Sequence, residues 1–321
     1  MKIDNHVHIG VDPLFYVNGW SPYALDVPRL LAEGKNTGID RWIVFPFVSY
    51  LGLDLAAMRR NEIKVAAEAE IPYRFENRRL MEEIGRQEPA ARQRLLPFLM
   101  ADPERQPEAQ VREWETLTRE HRAYGIKIQA TIIQSHITAL LKEGSVMLDF
   151  AAERNLPFLI HSSIAPDDEW SQCADILRVA EARPDVRFLL AHSCRFHRPS
   201  LDRVAELPNT WFDCSAHIIH CDCAVRGLPT VAVPTERFDS DYTSPIRVLQ
   251  DLAAAYPDKL IWGSDAPFYS YEDAGIQLRS TYRAEVDVLE SLPPVHLERA
   301  AHRNTLAWLG TDLKSSTNQN P

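Results

Sequence analysis

His6 and His8 stand with one residue between them at the end of a short opening run, Lys2-Ile-Asp-Asn-His6-Val-His8. Read as a strand, this spacing turns both imidazoles to one face, because side chains alternate along an extended chain. Two imidazoles on one face at a strand end can grip one divalent ion. By itself His-x-His is a weak signal. It gains weight because metal-competent side chains recur where other apolar runs stop: His161 after Pro157-Phe-Leu-Ile, His192 after Arg187-Phe-Leu-Leu-Ala, and Asp265 after Lys259-Leu-Ile-Trp-Gly-Ser. Lys127 and Asp213 sit near the ends of two more. The chain's 11 histidines would otherwise scatter over loops and helices.

Three neutral imidazole nitrogens and one carboxylate, from His6, His8, His161 and Asp265, suit zinc, with manganese, cobalt or iron as the other options. Such a centre would keep a position open for water or substrate, and the ion would lower the pKa of the water towards neutrality. Asp265 could both ligate and accept the proton. His192 is placed to polarise a substrate or shuttle a proton; the alternative is a fifth ligand or an orienting hydrogen bond. Arg195 could clamp a substrate carboxylate through two parallel bonds, or simply form a surface ion pair. His217, His220, Cys221 and Cys223 form a second group of metal-binding types, but His-Cys-x-Cys lacks the spacing of a structural zinc site. A pocket wall is the expectation there. Arg59, Arg60, Arg78, Tyr269 and Tyr271 are candidates for the rim.

The elements that must carry these residues are eight apolar runs: 2–7, 41–46, 95–101, 124–128, 157–161, 187–192, 211–215 and 259–265. Helical patterns separate most of them, including 24–38, 75–88, 107–120, 137–154, 171–182, 245–255, 273–292 and 295–309. Runs without polar alternation suit strands buried on both faces, as in a parallel sheet. Regular strand–helix alternation implies right-handed crossovers, and eight units close a barrel. The expected fold is α/β, a (β/α)8 TIM barrel in one domain over residues 1–312, with a disordered polar tail at 313–321. The alternative, an open doubly wound sheet, usually shows a Gly-rich turn after its first strand, and none is present. In a closed barrel all eight carboxyl ends meet at one face, where the long segment 47–73 would act as a lid.

Composition narrows the partners. The chain has 321 residues, 45% hydrophobic, and a net charge of -10 without charge blocks. That argues against nucleic acid and anionic membrane and leaves a small-molecule substrate. No apolar run approaches the ~20 residues of a membrane span, and the N-terminus lacks a signal-peptide pattern. Five cysteines, an odd number, do not form a disulfide framework. A cytoplasmic location with reduced thiols is the expectation.

Taken together, Asn5-His6-Val7-His8, the strand-end His161 and His192, and Trp262-Gly-Ser-Asp265-Ala-Pro resemble the amidohydrolase superfamily, and more narrowly its amidohydrolase-related branch. The closing Arg303-Asn-Thr-Leu-Ala-Trp-Leu309, with Asn304, is similar to that family's last helix. The branch holds metal-dependent hydrolases, lactonases and the aminocarboxymuconate semialdehyde decarboxylase group. The resemblance implies one metal on His6, His8, His161 and Asp265, a catalytic His192, and often a homo-oligomer. It also implies a structural role for Asp213 and Ser215. Two departures stand out. Many relatives follow the sixth-strand histidine with glycines, whereas this chain continues Ser-Cys-Arg195-Phe-His197. Binuclear members bridge their metals with a carboxylated lysine at the position of Lys127, but in this branch a cation there more often serves the substrate.

The leading reading is a metal-dependent hydrolase acting on a small ester, lactone or amide that carries a carboxylate. A non-oxidative decarboxylase of an aromatic or muconate-type acid is the alternative on the same ligands. A catalytically inactive ligand-binding barrel is the third, and the intact ligand set counts against it.

Overall fold

The computed structural model describes residues 1–60, 62–66, 70–311 and 313. Eight parallel strands form the body: β1 (Ile3–Val11), β2 (Arg41–Pro46), β3 (Leu95–Ala101), β4 (Gly125–Ile128), β5 (Phe158–Ile160), β6 (Phe188–Leu190), β7 (Thr210–Asp213) and β8 (Leu260–Ile261). Each pairs with the next in chain order. The sheet curls until its two ends meet. Asn5 N donates to Trp262 O at 3.4 Å, His8 N donates to Ala266 O at 2.7 Å, and Val7 bridges Ala266 in parallel. A two-residue strand, Ala24–Leu25, runs antiparallel to the far end of β1.

Alternation decides which way each side chain faces. Ile43, Phe45, Leu96, Phe98, Met100, Leu159, Leu189 and Ile261 fill the barrel interior, and Trp308 and Leu309 of the closing helix join the same apolar cluster. Their neighbours Trp42, Val44, Leu99, Ile126, Ile128, Phe158, Ile160, Phe188, Leu190 and Phe212 pack outward against the helices. Both faces are dry, so no polar alternation survives in the strands. Removing one interior ring, as in Phe98→Ala, should cost about 3–5 kcal/mol.

The same parity places the polar residues. Lys127, between outward Ile126 and Ile128, points into the barrel, as does Asp213 after Phe212. His161 keeps the parity of inward Leu159. His192 does not: it shares parity with outward Phe188 and Leu190. Its backbone instead turns left-handed at φ 62°, and Ser193, Cys194, Arg195 and Phe196 follow at 50°, 48°, 57° and 60°. Left-handed helical geometry costs non-glycine residues roughly 1–2 kcal/mol each. The fold accepts that strain to bring His192 and Arg195 back over the barrel mouth.

Several helices differ from the sequence expectation. The helix expected over 24–38 spans only Val27–Glu33, because Ala24 and Leu25 enter the sheet and Asp26 caps Arg29 N at 2.8 Å. A helix at His217–Arg226 occupies what reads as loop, starting after left-handed Ala216 and ending at Gly227. The stretch expected as helix from 273 begins as a hairpin, Tyr271–Glu272 against Gln277–Leu278, and the helix starts at Tyr282 behind a Thr281 cap. The closing helix carries a π turn at Arg299–Arg303. Within 47–73 the described residues include a helical turn at Leu55–Met58 and a Leu53–Val65 bridge. Arg41 Nη2 donates to Leu313 O at 3.0 Å; the rest of the expected tail, 314–321, lies outside the described residues. Among the described residues, no helix is long and apolar enough to cross a membrane. All five cysteines are free and buried.

Candidate metal centre and active site

Within β1 and just beyond β8, one nitrogen each of His6 and His8 and one oxygen of Asp265 lie within 4.8 Å of one another. Hydrogen-bond partners fix the tautomers. His6 Nδ1 faces Asp213 Oδ2 at 2.9 Å and His8 Nδ1 faces the Pro46 carbonyl at 3.2 Å. A carboxylate and a carbonyl only accept, so both Nδ1 atoms carry hydrogen and both Nε2 atoms present lone pairs. Asp265 Oδ1 lies 3.2 Å from His6 Nε2 and 3.5 Å from His8 Nε2. That buried oxygen has no hydrogen-bond partner. The Nε2 lone pairs of His6 and His8 and the Asp265 oxygen therefore face one another in a buried site, where Lys127 Nζ also approaches His6 Nε2 at 3.1 Å. A cation satisfies that arrangement, and imidazole with carboxylate suits a divalent transition metal. Asp213 stands behind His6 as the carboxylate that would orient it as a ligand.

The electrostatics agree with this arrangement. Burial lowers the pKa of His6 and His8, helped by the Lys127 charge, so both rings stay neutral. Burial raises Asp265 to about 6 against the opposing pull of His6 and Lys127. Asp213 goes the other way. Burial pushes it up, but the His6 ring and the donors from His6, Ser215 and His192 hold it at about 2. It is the fixed anion of the site. Lys127 Nζ lies 3.1 Å from His6 Nε2, and burial lowers this lysine to about 7.

His161 stands apart from the three. Its Nδ1 faces His192 Nε2 at 3.0 Å and its Nε2 faces Arg195 Nη2 at 2.9 Å. His192 Nδ1 faces Ser215 Oγ at 2.9 Å and lies 3.8 Å from Asp265 Oδ2. Arg195 Nε donates to Ser162 O at 2.8 Å and Nη1 donates to His220 Nε2. Among the described residues Arg195 forms no ion pair, so it is not the surface salt bridge that the plain reading allowed.

Above these groups lies a cavity of about 620 Å³, lined by His8, Lys127, His161, His192, Arg195, His220 and Asp265 at its polar end. Its apolar wall includes Phe15, Trp20, Ile132, Ile219, Phe268 and Tyr271, with Ile276 and Leu278 from the hairpin. Phe268 packs edge-on to His8 at 5.0 Å between ring centroids. Sequence reasoning missed Phe15, Trp20 and Phe268; the available signal was their place just beyond the β1 and β8 ends.

Of the rim candidates, Tyr271 lines the cavity, whereas Tyr269 donates to Glu33 at 2.8 Å. Arg60 pairs with Glu62 and Arg78 with Glu113, and Arg59 is exposed, so none of the three lines the cavity. The His217–Cys223 group does not converge. His217 Nε2 faces Pro245 O at 2.8 Å, while His220 and Cys223 face the cavity as its wall.

The amidohydrolase family model matches residues 3–311. Among solved structures, an amidohydrolase from Burkholderia multivorans with bound zinc superposes with a TM-score of 0.64 at 12% identity, covering 97% of this chain and 100% of the other. A 2,6-dihydroxybenzoate decarboxylase complexed with 2,6-dihydroxybenzoate gives 0.62 at 14% identity, with the same coverage. A dihydroxybenzoic acid decarboxylase from Polaromonas sp. JS666, with bound manganese and 2-nitroresorcinol, gives 0.61 at 15% identity and covers 96% of each chain. No curated protein matches by sequence. Such distant superpositions establish the barrel shared with amidohydrolases, and the family match spans nearly the whole of it. This chain belongs to the amidohydrolase family.

Proposed function

We propose that this protein is a metal-dependent hydrolase of a small ester, lactone or amide that carries a carboxylate. One observation carries the reading: His6 Nε2, His8 Nε2 and Asp265 Oδ1 converge as lone pairs, facing a cavity that also holds the unpaired Arg195. A divalent ion bound there, zinc or manganese by the chemistry of the donors, would polarise a carbonyl and acidify a water. The chain's own groups supply the rest. Arg195 holds the substrate carboxylate and sets which bond faces Asp265. Asp265 Oδ2 accepts a proton from the attacking water and delivers it to the leaving group, while His192, whose Nδ1 lies 3.8 Å from that oxygen, polarises the substrate. The apolar wall excludes bulk water from the reacting end.

Non-oxidative decarboxylation of an aromatic or muconate-type acid is the second reading. Two of the superposed structures are decarboxylases of dihydroxybenzoic acids. In this chain Lys127 and Arg195 line the same cavity as Asp265, so a substrate carboxylate would find two basic side chains there. The two readings separate by product. Protein loaded with one equivalent of zinc or manganese is assayed against carboxylated lactones, esters and amides and against hydroxybenzoates. Release of acid without carbon dioxide supports hydrolysis, and release of carbon dioxide supports the second reading. Protein that binds no divalent metal sinks both and leaves a ligand-binding barrel. We further propose a cytoplasmic small-molecule enzyme, with homo-oligomers as the form to look for by light scattering.

A further inference from the structure

We infer that Gln129 is a specificity residue: its amide donates to a second oxygen of the substrate. The site then takes a small carboxylic acid that carries a further acceptor, a carbonyl, ether or carboxylate oxygen, beside the group held by Arg195. This role deepens the proposed function and rests on its assignment of Arg195 to the substrate carboxylate.

Gln129 follows β4 with the parity of Lys127, which turns its side chain towards the barrel mouth. It is 6% exposed and lines the cavity. Gln129 Oε1 accepts from Ile132 N at 3.1 Å. A backbone N–H can only donate, so this bond fixes which amide atom is oxygen and leaves Nε2 as the free end. Nε2 carries two N–H groups and has no hydrogen-bond partner among the described residues. It is not sealed off in the core, and the cavity is the space this residue lines. Polar neighbours are already committed. Thr131 Oγ1 donates to Asp168 Oδ2 at 2.6 Å, and His220 faces Ser215 O with one nitrogen and Arg195 with the other.

Arg195 is the companion donor. It donates to Ser162 O and His220 Nε2 but meets no carboxylate among the described residues. β5 separates β4 from β6, so the strands that carry Gln129 and Arg195 have axes about 10 Å apart. Both side chains are long, and one small molecule can touch both. The opposite wall is apolar, with Phe15 and Trp20 beyond β1 and Phe268 beyond β8. A substrate that presents oxygens to the β4–β6 side and carbon to the rings satisfies both walls. One that sets carbon against Gln129 leaves a desolvated donor unpaired. A site built around a hydrogen bond rejects the analogue that lacks it for this reason.

The test uses the full-length protein loaded with zinc. Calorimetry measures the binding of ortho-, meta- and para-methoxybenzoate and of the three matching ethylbenzoates. Each pair differs by one ether oxygen in place of a methylene. At least one methoxy isomer should bind wild type about 10–100-fold tighter than its ethyl counterpart. Gln129→Met should erase that preference. Gln129→Glu keeps an oxygen to cap Ile132 N but has no amide N–H to give, so it should erase the preference while melting with wild type. That variant separates a substrate contact from a cap. Arg195→Met should weaken all six acids. A preference that survives in either Gln129 variant overturns the inference, as does a wild type that binds every pair equally. Unchanged affinities in Arg195→Met overturn the carboxylate assignment of the proposed function and leave the Gln129 contact standing. Failure of all six acids to bind wild type overturns both.

Discussion

His6 Nδ1 lies 2.9 Å from Asp213 Oδ2, and the other oxygen of that carboxylate accepts from His192 N and Ser215 N, each at 2.9 Å. One buried anion thus fixes the His6 ring of the candidate metal centre and anchors the turn that carries His192 and Arg195. Asp213→Asn removes the charge while keeping the shape. Metal affinity should fall by about 10–100-fold, as for other outer-shell partners, with the barrel still folded. Chelator competition checks it; wild-type affinity in that variant would make the clamp idle.

Asp265 has two tasks in the proposed reaction, one for each oxygen. Asp265→Asn should lower turnover at least as far as it lowers metal affinity. Turnover is measured at saturating metal so that the two effects separate. An undiminished rate there would remove Asp265 from the proton chemistry.

In the proposed reaction Arg195 carries the carboxylate selectivity. Arg195→Ala should raise KM for a carboxylated substrate by about 10–100-fold, the range of a charge-assisted hydrogen bond, and change KM little for the matching neutral amide. Arg195→Lys should recover only part of it, because an ammonium cannot serve Ser162, His161 and His220 at once. Equal losses for both substrates would assign Arg195 a merely structural place.

Gly263 has no room for a side chain. A Cβ there would collide with Asn5 Oδ1 and come within 2.8 Å of His6 Cβ. Gly263→Ala should therefore destabilise the barrel by about 1–3 kcal/mol and push β1, with His6, out of line. Thermal melts and metal stoichiometry of the same preparation should fall together.

Glu285 gives a pH signature. It is buried on the helix that starts at Tyr282 and reaches the start of the His217–Arg226 helix, where Oε1 accepts from Ser280 Oγ at 3.0 Å and Ile218 N at 3.4 Å while Oε2 has no partner. Burial raises its pKa from 4.5 to about 8. A raised carboxyl holds its proton in the folded state after the unfolded chain has released it. Its stability contribution is therefore complete below pH 4.5 and declines as pH rises to about 8. The slope is at most about 1.4 kcal/mol per pH unit. Glu285→Gln should flatten the stability profile across that window, as read by urea melts between pH 5 and 8. A wild-type profile without this decline would show the carboxyl to be ionised in the fold.

The number and order of the strands were legible in the sequence, because both faces of each strand are dry and the apolar runs stand out without alternation. Arg41–Pro46 and Leu95–Ala101 were readable to the residue. The ends of those runs also named His6, His8 and Asp265, since a closed barrel gathers its carboxyl ends on one face. Local pattern could not show the edge strand at Ala24–Leu25, the hairpin at 271–278 or the helix at His217–Arg226. The first two depend on partners elsewhere in the chain, and the third follows a left-handed residue, Ala216, that no periodicity announces. The division of the histidines was likewise a tertiary matter. Sequence assigns His6, His8, His161 and His192 the same chemistry at strand ends. Only the folded chain shows which acceptor stands behind each ring. Asp213 and Pro46 stand behind the Nδ1 atoms of His6 and His8, whereas the two nitrogens of His161 face His192 and Arg195. An imidazole's tautomer is set by what it touches, and those contacts span up to 207 residues of sequence.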